Sequence, residues 1–241
     1  MITLRPGNER GHARFAWLES RHSFSFASYY DPAHMGVSVL RVLNDDHVAP
    51  GAGFDPHSHR DMEIISYVLS GNIEHRDSMG SRHTLGVGEV QLMSAGTGIE
   101  HSEYNASSHE PLRFLQIWIT PQAKGLPPRY QQQPFAARDG LTLLIAPPAQ
   151  AAPGVLVINQ DAQMYRIGLQ GDDAQRAALE LPLDARRRYY LHVIDGTTSL
   201  STSDAQSVSL GAGDAVTLDQ ASRLALSDAH RLHALLFDLP A

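Results

Sequence analysis

The sequence lacks cysteine altogether. Disulfide bonds, thiolate metal ligands and cysteine nucleophiles are therefore excluded, while the redox compartment stays open. The sequence also lacks an apolar run of the roughly 18 residues that a membrane span needs. Its first residues, MITLRPG, do not resemble a signal peptide. These absences predict a soluble, cytoplasmic protein with no membrane partner.

Basic charge is also scarce. Lys and Arg number 19 against 26 Asp and Glu, and the net charge is −7. Direct binding to a nucleic acid needs a basic face for the phosphate backbone, so this class of function is not expected. Hydrophobic residues make up 42% of the 241 residues, which is enough for packed cores and excludes a disordered chain.

Histidine is the residue type in excess. Ten of the 13 histidines lie between His12 and His109, and only three follow in the rest of the chain. An excess of surface histidines would be scattered along the whole sequence. The asymmetry therefore predicts imidazole chemistry in the first half of the chain.

Short apolar or alternating runs, separated by Gly, Asn, Asp or Pro, dominate the chain and predict an all-β fold of the sandwich or barrel class. The predicted strands lie at residues 37–43, 64–69, 89–93, 114–119, 141–145, 155–158, 189–194 and 232–239. Few stretches favour a helix, residues 173–181 among them, and no long amphipathic helix is present.

Two sequence similarities share one offset. Residues 67–71 (YVLSG) resemble residues 192–196 (HVIDG), and residues 85–89 (LGVGE) resemble residues 210–214 (LGAGD), each pair 125 positions apart. The repeat predicts two copies of one β-domain. We expect these domains at residues 1–122 and 141–241, joined by a linker at residues 123–140 that is enriched in Pro and Gln.

The histidine-rich copy carries two pairs of side chains that could bind a metal. His57 and His59 are two residues apart, as are His101 and Glu103, so each pair projects from one face of a strand. On neighbouring antiparallel strands the pairs come within about 5 Å of each other. Three imidazoles and one carboxylate suit a divalent Fe, Ni, Cu, Mn or Co ion with open positions, and Zn accepts the same ligands.

The repeat supplies an internal control. At an offset of 125, the positions that correspond to the four candidate ligands hold Pro182, Asp184, Leu226 and Asp228. No imidazole is among them, and the side chains of proline and leucine have no ligand atom. We expect the second copy to bind no metal at the equivalent place and to have a structural role.

The motifs resemble the two-part signature of the cupin superfamily, and their details resemble its pirin branch. Residues 51–63 (GAGFDPHSHRDME) match the first part, and the second part ends in His-Ser-Glu at residues 101–103, as in pirins. Residues 22–32 and 61–80 are also similar to bacterial pirin-like proteins. The resemblance covers about residues 2–120, while the second half resembles the C-terminal cupin of bacterial quercetinase-type members more loosely.

The resemblance implies a bicupin fold, with two double-stranded β-helix (jelly-roll) barrels in one chain. The N-terminal barrel binds metal and the C-terminal barrel is degenerate. The expected centre is mononuclear, with iron as the first metal and Ni, Cu, Mn, Co and Zn as alternatives. Carried over by position, the ligands are His57, His59, His101 and Glu103.

Glu63 is a competing carboxylate. Most cupins use it as the ligand, and it shares strand parity with the first histidine pair, whereas the pirin pattern favours Glu103. Glu63 is then expected to orient a ligand imidazole or to pair with Arg60 or Arg76. Three other histidines near the motifs are expected to be exposed residues of loops or strand edges: His75, His83 and His109.

The resemblance implies a flavonol 2,3-dioxygenase of the quercetinase type. A flavonol has an acidic 3-hydroxyl beside its 4-carbonyl, and a bound metal lowers the pKa of that hydroxyl. Glu103 is expected to act as both metal ligand and general base. The flavonolate then reacts with O2 and loses CO as its ring opens, so the expected partners are a small aromatic substrate and O2.

The alternative is a pirin-like regulatory protein. In that case the oxidation state of the metal alters a surface that binds a protein partner, and no substrate is turned over. The acidic net charge argues against contact with DNA but not against contact with a protein. Turnover of a flavonol distinguishes the two hypotheses.

Overall fold

The computed structural model describes residues 1–170 and 177–241, which form a fold built from strands. In these described ranges the helical elements are two short 3-10 helices, Gly7–Glu9 and Pro148–Gln150. Neither has the length and apolarity that crossing a membrane requires. The prediction of an all-β chain is confirmed.

The strands, in chain order, are β1 (Ile2–Arg5), β2 (Gly11–Arg14), β3 (Leu18–His22), β4 (Leu40–Val48), β5 (Gly53–His59), β6 (Glu63–Ser70), β7 (Ile73–Asp77), β8 (Arg82–Leu85), β9 (Glu89–Ser94), β10 (Ile99–Asn105), β11 (Leu112–Ile119), β12 (Arg129–Pro134), β13 (Gly140–Ala146), β14 (Leu156–Val157), β15 (Gln163–Leu169), β16 (Ala177–Pro182), β17 (Arg188–Thr202), β18 (Ser207–Gly211), β19 (Ala215–Asp219) and β20 (Arg223–Leu239).

All eight predicted runs overlap strands, because runs of apolar residues bounded by turn formers are a local property that a sequence displays. The candidate helix at 173–181 is wrong over the residues described. Ala177–Pro182 is strand β16, which pairs with β20 and packs Leu179 and Leu181 against an apolar core. Residues 173–176 lie outside the described part of the chain.

The described chain divides into two compact units. The first unit comprises Gly11–Ala136 and Pro147–Gln160, and the second comprises Met1–Arg10, Ala137–Ala146 and Asp161–Ala241. The second unit therefore includes the N-terminal strand β1, which pairs with β19. The domain limits at 122 and 140 remain a prediction.

Part of the segment predicted as a linker is a strand. Arg129–Pro134 forms β12, which pairs with β9 along its full length. The glutamines of this strand also bond the chain on either side: Gln131 exchanges hydrogen bonds with the backbone of Val157, and Gln132 donates to Glu89. Enrichment in Pro and Gln thus marks an edge strand held by side-chain amides.

Two antiparallel sheets form the first unit. One has the strand order β12-β9-β6-β11-β4-β3-β2 and the other the order β5-β10-β7-β8. The second unit contains the order β1-β19-β17-β20-β15-β13, with β16 added to β20 and β18 added to β17. Register shifts interrupt the pairing of the long strands β17 and β20. Each of these long strands takes the place of separate, shorter strands in the first unit.

The repeat in the sequence is a repeat of strands. β6 begins at Glu63 and β17 begins 125 positions later at Arg188. β8 begins at Arg82, and β18 again begins 125 positions later, at Ser207. The two units are therefore copies of one strand arrangement, as the sequence similarities predict.

The strand pairing changes which residue of the second unit corresponds to His57. In the first unit His101 on β10 lies directly opposite His57 on β5, whereas in the second unit Leu226 on β20 lies opposite Leu179 on β16. Leu179 therefore stands where Pro182 was expected. Leu226 belongs to the apolar core of the second unit and the partly buried Leu179 packs against it, so hydrocarbon occupies the place that holds imidazoles in the first unit.

This packing predicts the effect of truncating Leu226. Because the side chain is fully buried in that core, Leu226→Ala leaves a cavity, and we expect the free energy of unfolding to fall by about 2–4 kcal/mol. Leu141→Ala in the same unit is the matched control, since Leu141 is 38% exposed, and its effect should be below about 1 kcal/mol. Urea unfolding curves measure both, and equal losses would contradict the packing.

Candidate metal centre

Strands β5 and β10 bring the three predicted imidazoles together. His57 lies opposite His101, and His59 follows two residues later on the same face of β5. The ring centroids are 4.5 Å apart for His57 and His101, 4.7 Å for His57 and His59, and 5.0 Å for His59 and His101. Each ring offers a nitrogen within 4.8 Å of the others, so one ion could contact all three.

Hydrogen bonding and burial leave ring nitrogens of these histidines available to a metal. His57 Nδ1 lies 2.7 Å from the carbonyl oxygen of Asp55, so its N–H donates there and the lone pair is on Nε2. Burial is the main cause that lowers the pKa of both His59 and His101 to about 4. Both ring nitrogens of His101 are buried without a hydrogen-bond partner. Such unpartnered nitrogens are costly unless an ion or a proton uses them.

Glu103 is a buried carboxylate held by donors from three strands. Ser66 Oγ and Gln91 Nε2 donate to its Oε1 at 2.8 and 3.1 Å, and Gln116 Nε2 donates to its Oε2 at 3.4 Å. Burial by itself raises the pKa of Glu103, but the nearby His101 and the bond from Ser66 outweigh it and lower the pKa below its ordinary value. The carboxylate is therefore ionised at neutral pH.

His101 links Glu103 to the other imidazoles. The ligand atoms of His57, His59 and His101 form one group, and those of His75, His101 and Glu103 form a second group, each within 4.8 Å. The pairing of β10 with β5 shifts by one residue between His101 and Glu103. Shifts of this kind re-aim side chains beside functional sites.

A row of buried polar side chains crosses the large sheet of the first unit at the level of the carboxylate. Gln91 lies opposite Ser66, Ser66 opposite Gln116, Gln116 opposite Asn44, and Asn44 opposite His22. The last pair is 2.9 Å apart between His22 Nδ1 and Asn44 Oδ1. Sequence reasoning missed this row, although Ser66, Gln91 and Gln116 are each a lone uncharged polar residue inside an apolar strand.

Glu63 occupies a different place from the one expected. It accepts hydrogen bonds from Ser94 Oγ at 2.8 Å and Asn159 Nδ2 at 3.0 Å, and the groups of possible metal ligands found in the described chain do not include it. Arg76 pairs with Glu74 instead. Glu63 does not share a strand face with His57 and His59, because β5 ends before Glu63 and Asp61 in the intervening turn has a positive φ of 49°.

The position of His75 in the structure also differs from the one expected from the sequence. It was expected at the surface, but it lies fully buried on β7, with Nε2 3.1 Å from Asp77 Oδ2. The exposed positions expected for His83 and His109 are confirmed. Only the pairing of β7 with β10 shows that His75 lies opposite Glu103, and that long-range register is not visible in the sequence.

An aromatic cavity lies next to Trp118, whose ring packs against His59. It has a volume of about 430 Å³. Its apolar lining includes Phe26, Tyr29, Tyr30, Met62 and Trp118. Trp118 packs edge-on against His59, with 5.0 Å between ring centroids, and its buried Nε1 has no hydrogen-bond partner. A cavity of this size and lining suits a small aromatic molecule.

A second buried carboxyl lies on β4. Burial raises the pKa of Asp46 to about 7; the hydrogen bond from Ser20 opposes this rise, and the negative charges of Asp45 and Glu103 add to it. The folded protein therefore binds a proton that the unfolded chain releases between about pH 4 and pH 7. Stability falls as pH rises through that range, because the folded state must ionise a buried group.

Replacing this carboxyl by an amide tests the assignment. Asp46→Asn keeps the shape of the side chain and cannot ionise, so we expect the variant to be more stable than the wild-type protein at pH 8 by about 2–4 kcal/mol. The difference should shrink towards pH 4. Urea unfolding at several pH values measures it, and a difference that does not change with pH would contradict the raised pKa.

Both halves of the chain match known families. Residues 4–119 match the family model described as Pirin, and residues 143–239 match the one described as the quercetinase C-terminal cupin domain. The two units are thus cupin domains, and the bicupin prediction is confirmed.

Full-length relatives agree. A protein of Escherichia coli O157:H7 named quercetin 2,3-dioxygenase is 47% identical over 241 residues, covering 100% of this chain and 99% of the relative. The protein of that name from E. coli K12 is 44% identical over 240 residues, with 100% and 99% covered. The crystal structure of the bacterial pirin YhhW from E. coli in complex with nickel(II) has a TM-score of 0.91 and 44% identity, and the match covers 100% of this chain and 99% of that one. The fold, the histidine cluster and these matches lead to one conclusion: the chain belongs to the pirin family.

Proposed function

We propose that this chain is a metal-dependent dioxygenase that opens the ring of a quercetin-like flavonol with O2 and releases CO. The observation that carries the proposal is the cluster of imidazoles beside the ionised Glu103, in a chain whose full-length relatives are named quercetin 2,3-dioxygenase. The family resemblance places iron first, and the nickel complex of YhhW adds support for nickel. Mn, Co, Cu and Zn suit the same donors.

The donor set fits a divalent transition metal. His57, His59 and His101 would supply imidazole nitrogens, and Glu103 would supply one negative charge. The buried and unpartnered nitrogens of His101 are the observation that favours an ion here. When bound, the metal supplies a Lewis acid with open coordination positions for substrate oxygen atoms.

Glu103 would accept the proton of the 3-hydroxyl of the flavonol. Its carboxylate is ionised in advance, and Ser66, Gln91 and Gln116 fix its orientation. The lowered pKa makes it available at neutral pH but a weak base, so the transfer requires a hydroxyl that is itself acidic. This requirement favours flavonols over simple phenols.

The overall reaction balances without another oxidant. The two bonds that join C3 of the flavonol to C2 and C4 break, and the two atoms of O2 become bonded to C2 and C4. C3 leaves with its own oxygen as CO. The proton held by Glu103 returns to the carboxylate of the opened product.

The aromatic cavity supports this class of substrate. Trp118 and Phe26 both line it and pack edge-on against each other with 5.4 Å between ring centroids, and Trp118 also packs against His59. Offset and edge-on contacts with such rings stabilise a bound aromatic ligand. We propose that this cavity holds one ring system of the flavonol.

Metal content distinguishes the two carboxylates. After reconstitution with Fe²⁺ and dialysis, Glu103→Gln should retain at least about tenfold less metal than the wild-type protein. Glu63→Gln should stay near one ion per chain, because Glu63 bonds Ser94 and Asn159 rather than the histidines. Elemental analysis measures both variants. Full occupancy of Glu103→Gln, with loss in Glu63→Gln, would reverse the assignment.

Turnover tests the proposed reaction. With quercetin as substrate, O2 uptake and CO release should reach about 1 per second or more in protein reconstituted with its working metal. The panel is Fe, Mn, Co, Ni, Cu and Zn, beside a metal-free sample. His57→Ala should abolish the activity, while the exposed His109→Ala should keep it. Metal bound at one ion per chain without CO from any form would contradict the proposal and favour the regulatory alternative.

A further inference from the structure

His75 is a buried histidine that the proposed reaction does not use. It lies on β7 directly opposite Glu103 on β10, and its side chain has no exposed surface. Its ring packs against His101 at 5.4 Å and Tyr130 at 4.7 Å between centroids. His83 stacks on the same tyrosine, with the two rings nearly parallel and 4.7 Å between centroids. The His75 ring is therefore held in one orientation.

Asp77 determines which nitrogen of His75 carries the proton. Its Oδ2 lies 3.1 Å from His75 Nε2, while its Oδ1 accepts the backbone N–H groups of Met79 and Ser81 at 2.9 and 3.0 Å. An ionised carboxylate only accepts, so Nε2–H donates and Nδ1 has the lone pair. Metal-binding histidines characteristically donate their second nitrogen to a carboxylate in this way.

His75 lies close to two other residues that offer ligand atoms. Nδ1 is buried without a hydrogen-bond partner, as are both ring nitrogens of His101. One ligand atom from each of His75, His101 and Glu103 lies within 4.8 Å of the others. Lone pairs and a carboxylate that face one another in a buried space favour a cation among them.

We propose that His75, His101 and Glu103 form a second, inner position for the divalent metal, beside the outer position at which His57 and His59 join His101 and Glu103. This inference rests on the proposal that the centre binds metal. A neutral imidazole has a single lone pair, so His101 serves only one ion at a time. The two positions are therefore alternatives for one ion, and the wild-type chain binds one metal rather than two.

The two positions differ in access to solvent. His57 and His59 are half-buried, whereas the three inner ligands are buried. An ion in the inner position is removed from the half-buried histidines and stays bound through Glu103. The outer position is the open one, where a substrate oxygen can reach the metal.

Replacing the two outer histidines allows metal binding at the inner position to be measured by itself. We expect His57→Ala/His59→Ala to bind close to one Co²⁺ per chain when Co²⁺ is in excess, with an affinity at least about tenfold weaker than that of the wild-type protein. Adding His75→Phe, which keeps a ring but no ligand atom, should remove this residual binding. Equilibrium dialysis measures stoichiometry, and the visible spectrum of Co²⁺ reports imidazole ligation without any assay of activity.

The controls separate the possible failures. His83→Phe added to the double variant should leave the residual Co²⁺ binding unchanged, because His83 touches the same tyrosine but is not in the donor set. Circular dichroism confirms that each variant is folded. A folded double variant without bound Co²⁺, or a triple variant that binds as well as the double variant, would overturn the inner position. Absence of Co²⁺ binding by the wild-type protein would instead overturn the metal centre itself.

Discussion

Glu103 is an ionised carboxylate with only 2% of its surface exposed, and the interior of the first unit is arranged around this charge. Removing an unpaired carboxylate from water costs several kcal/mol. Ser66, Gln91 and Gln116, each from a different strand, donate hydrogen bonds that offset part of that cost. The polar row follows from this buried charge, whereas burial is the main cause of the lowered pKa values of His59 and His101 and of the raised pKa of Asp46.

A comparison of the two units shows how a buried polar site changes the interior of one strand arrangement. Both have the same succession of strands, and the same pair of neighbouring strands carries His57 and His101 in one unit and Leu179 and Leu226 in the other. Leucines fill the second core with hydrocarbon, which needs no partner. The first unit accepts unpartnered imidazole nitrogens in its interior instead. The two units therefore share the pairing of their backbones. The side chains at a few paired positions decide whether the interior is filled with hydrocarbon or lined by imidazoles.

Local patterns in the sequence predicted much of this structure. The strand-forming runs, the repeat and the pairing of His57 with His101 all depend on short-range periodicity. The failures depend on features between strands. A turn at Asp61 broke the parity that connected Glu63 to the histidines. The register between β16 and β20 places Leu179, rather than Pro182, at the position equivalent to His57. Only the pairing of β7 with β10 shows that His75 is buried opposite Glu103.

The central claim is that the first unit holds a divalent metal through histidines of the buried cluster. X-ray absorption spectroscopy of the full chain loaded with nickel(II) tests this directly, because imidazole rings give a characteristic multiple-scattering signal. The account predicts a first shell of nitrogen and oxygen atoms that includes at least two imidazoles. A shell of oxygen atoms alone, without imidazole scattering, would show nickel bound elsewhere and contradict the account.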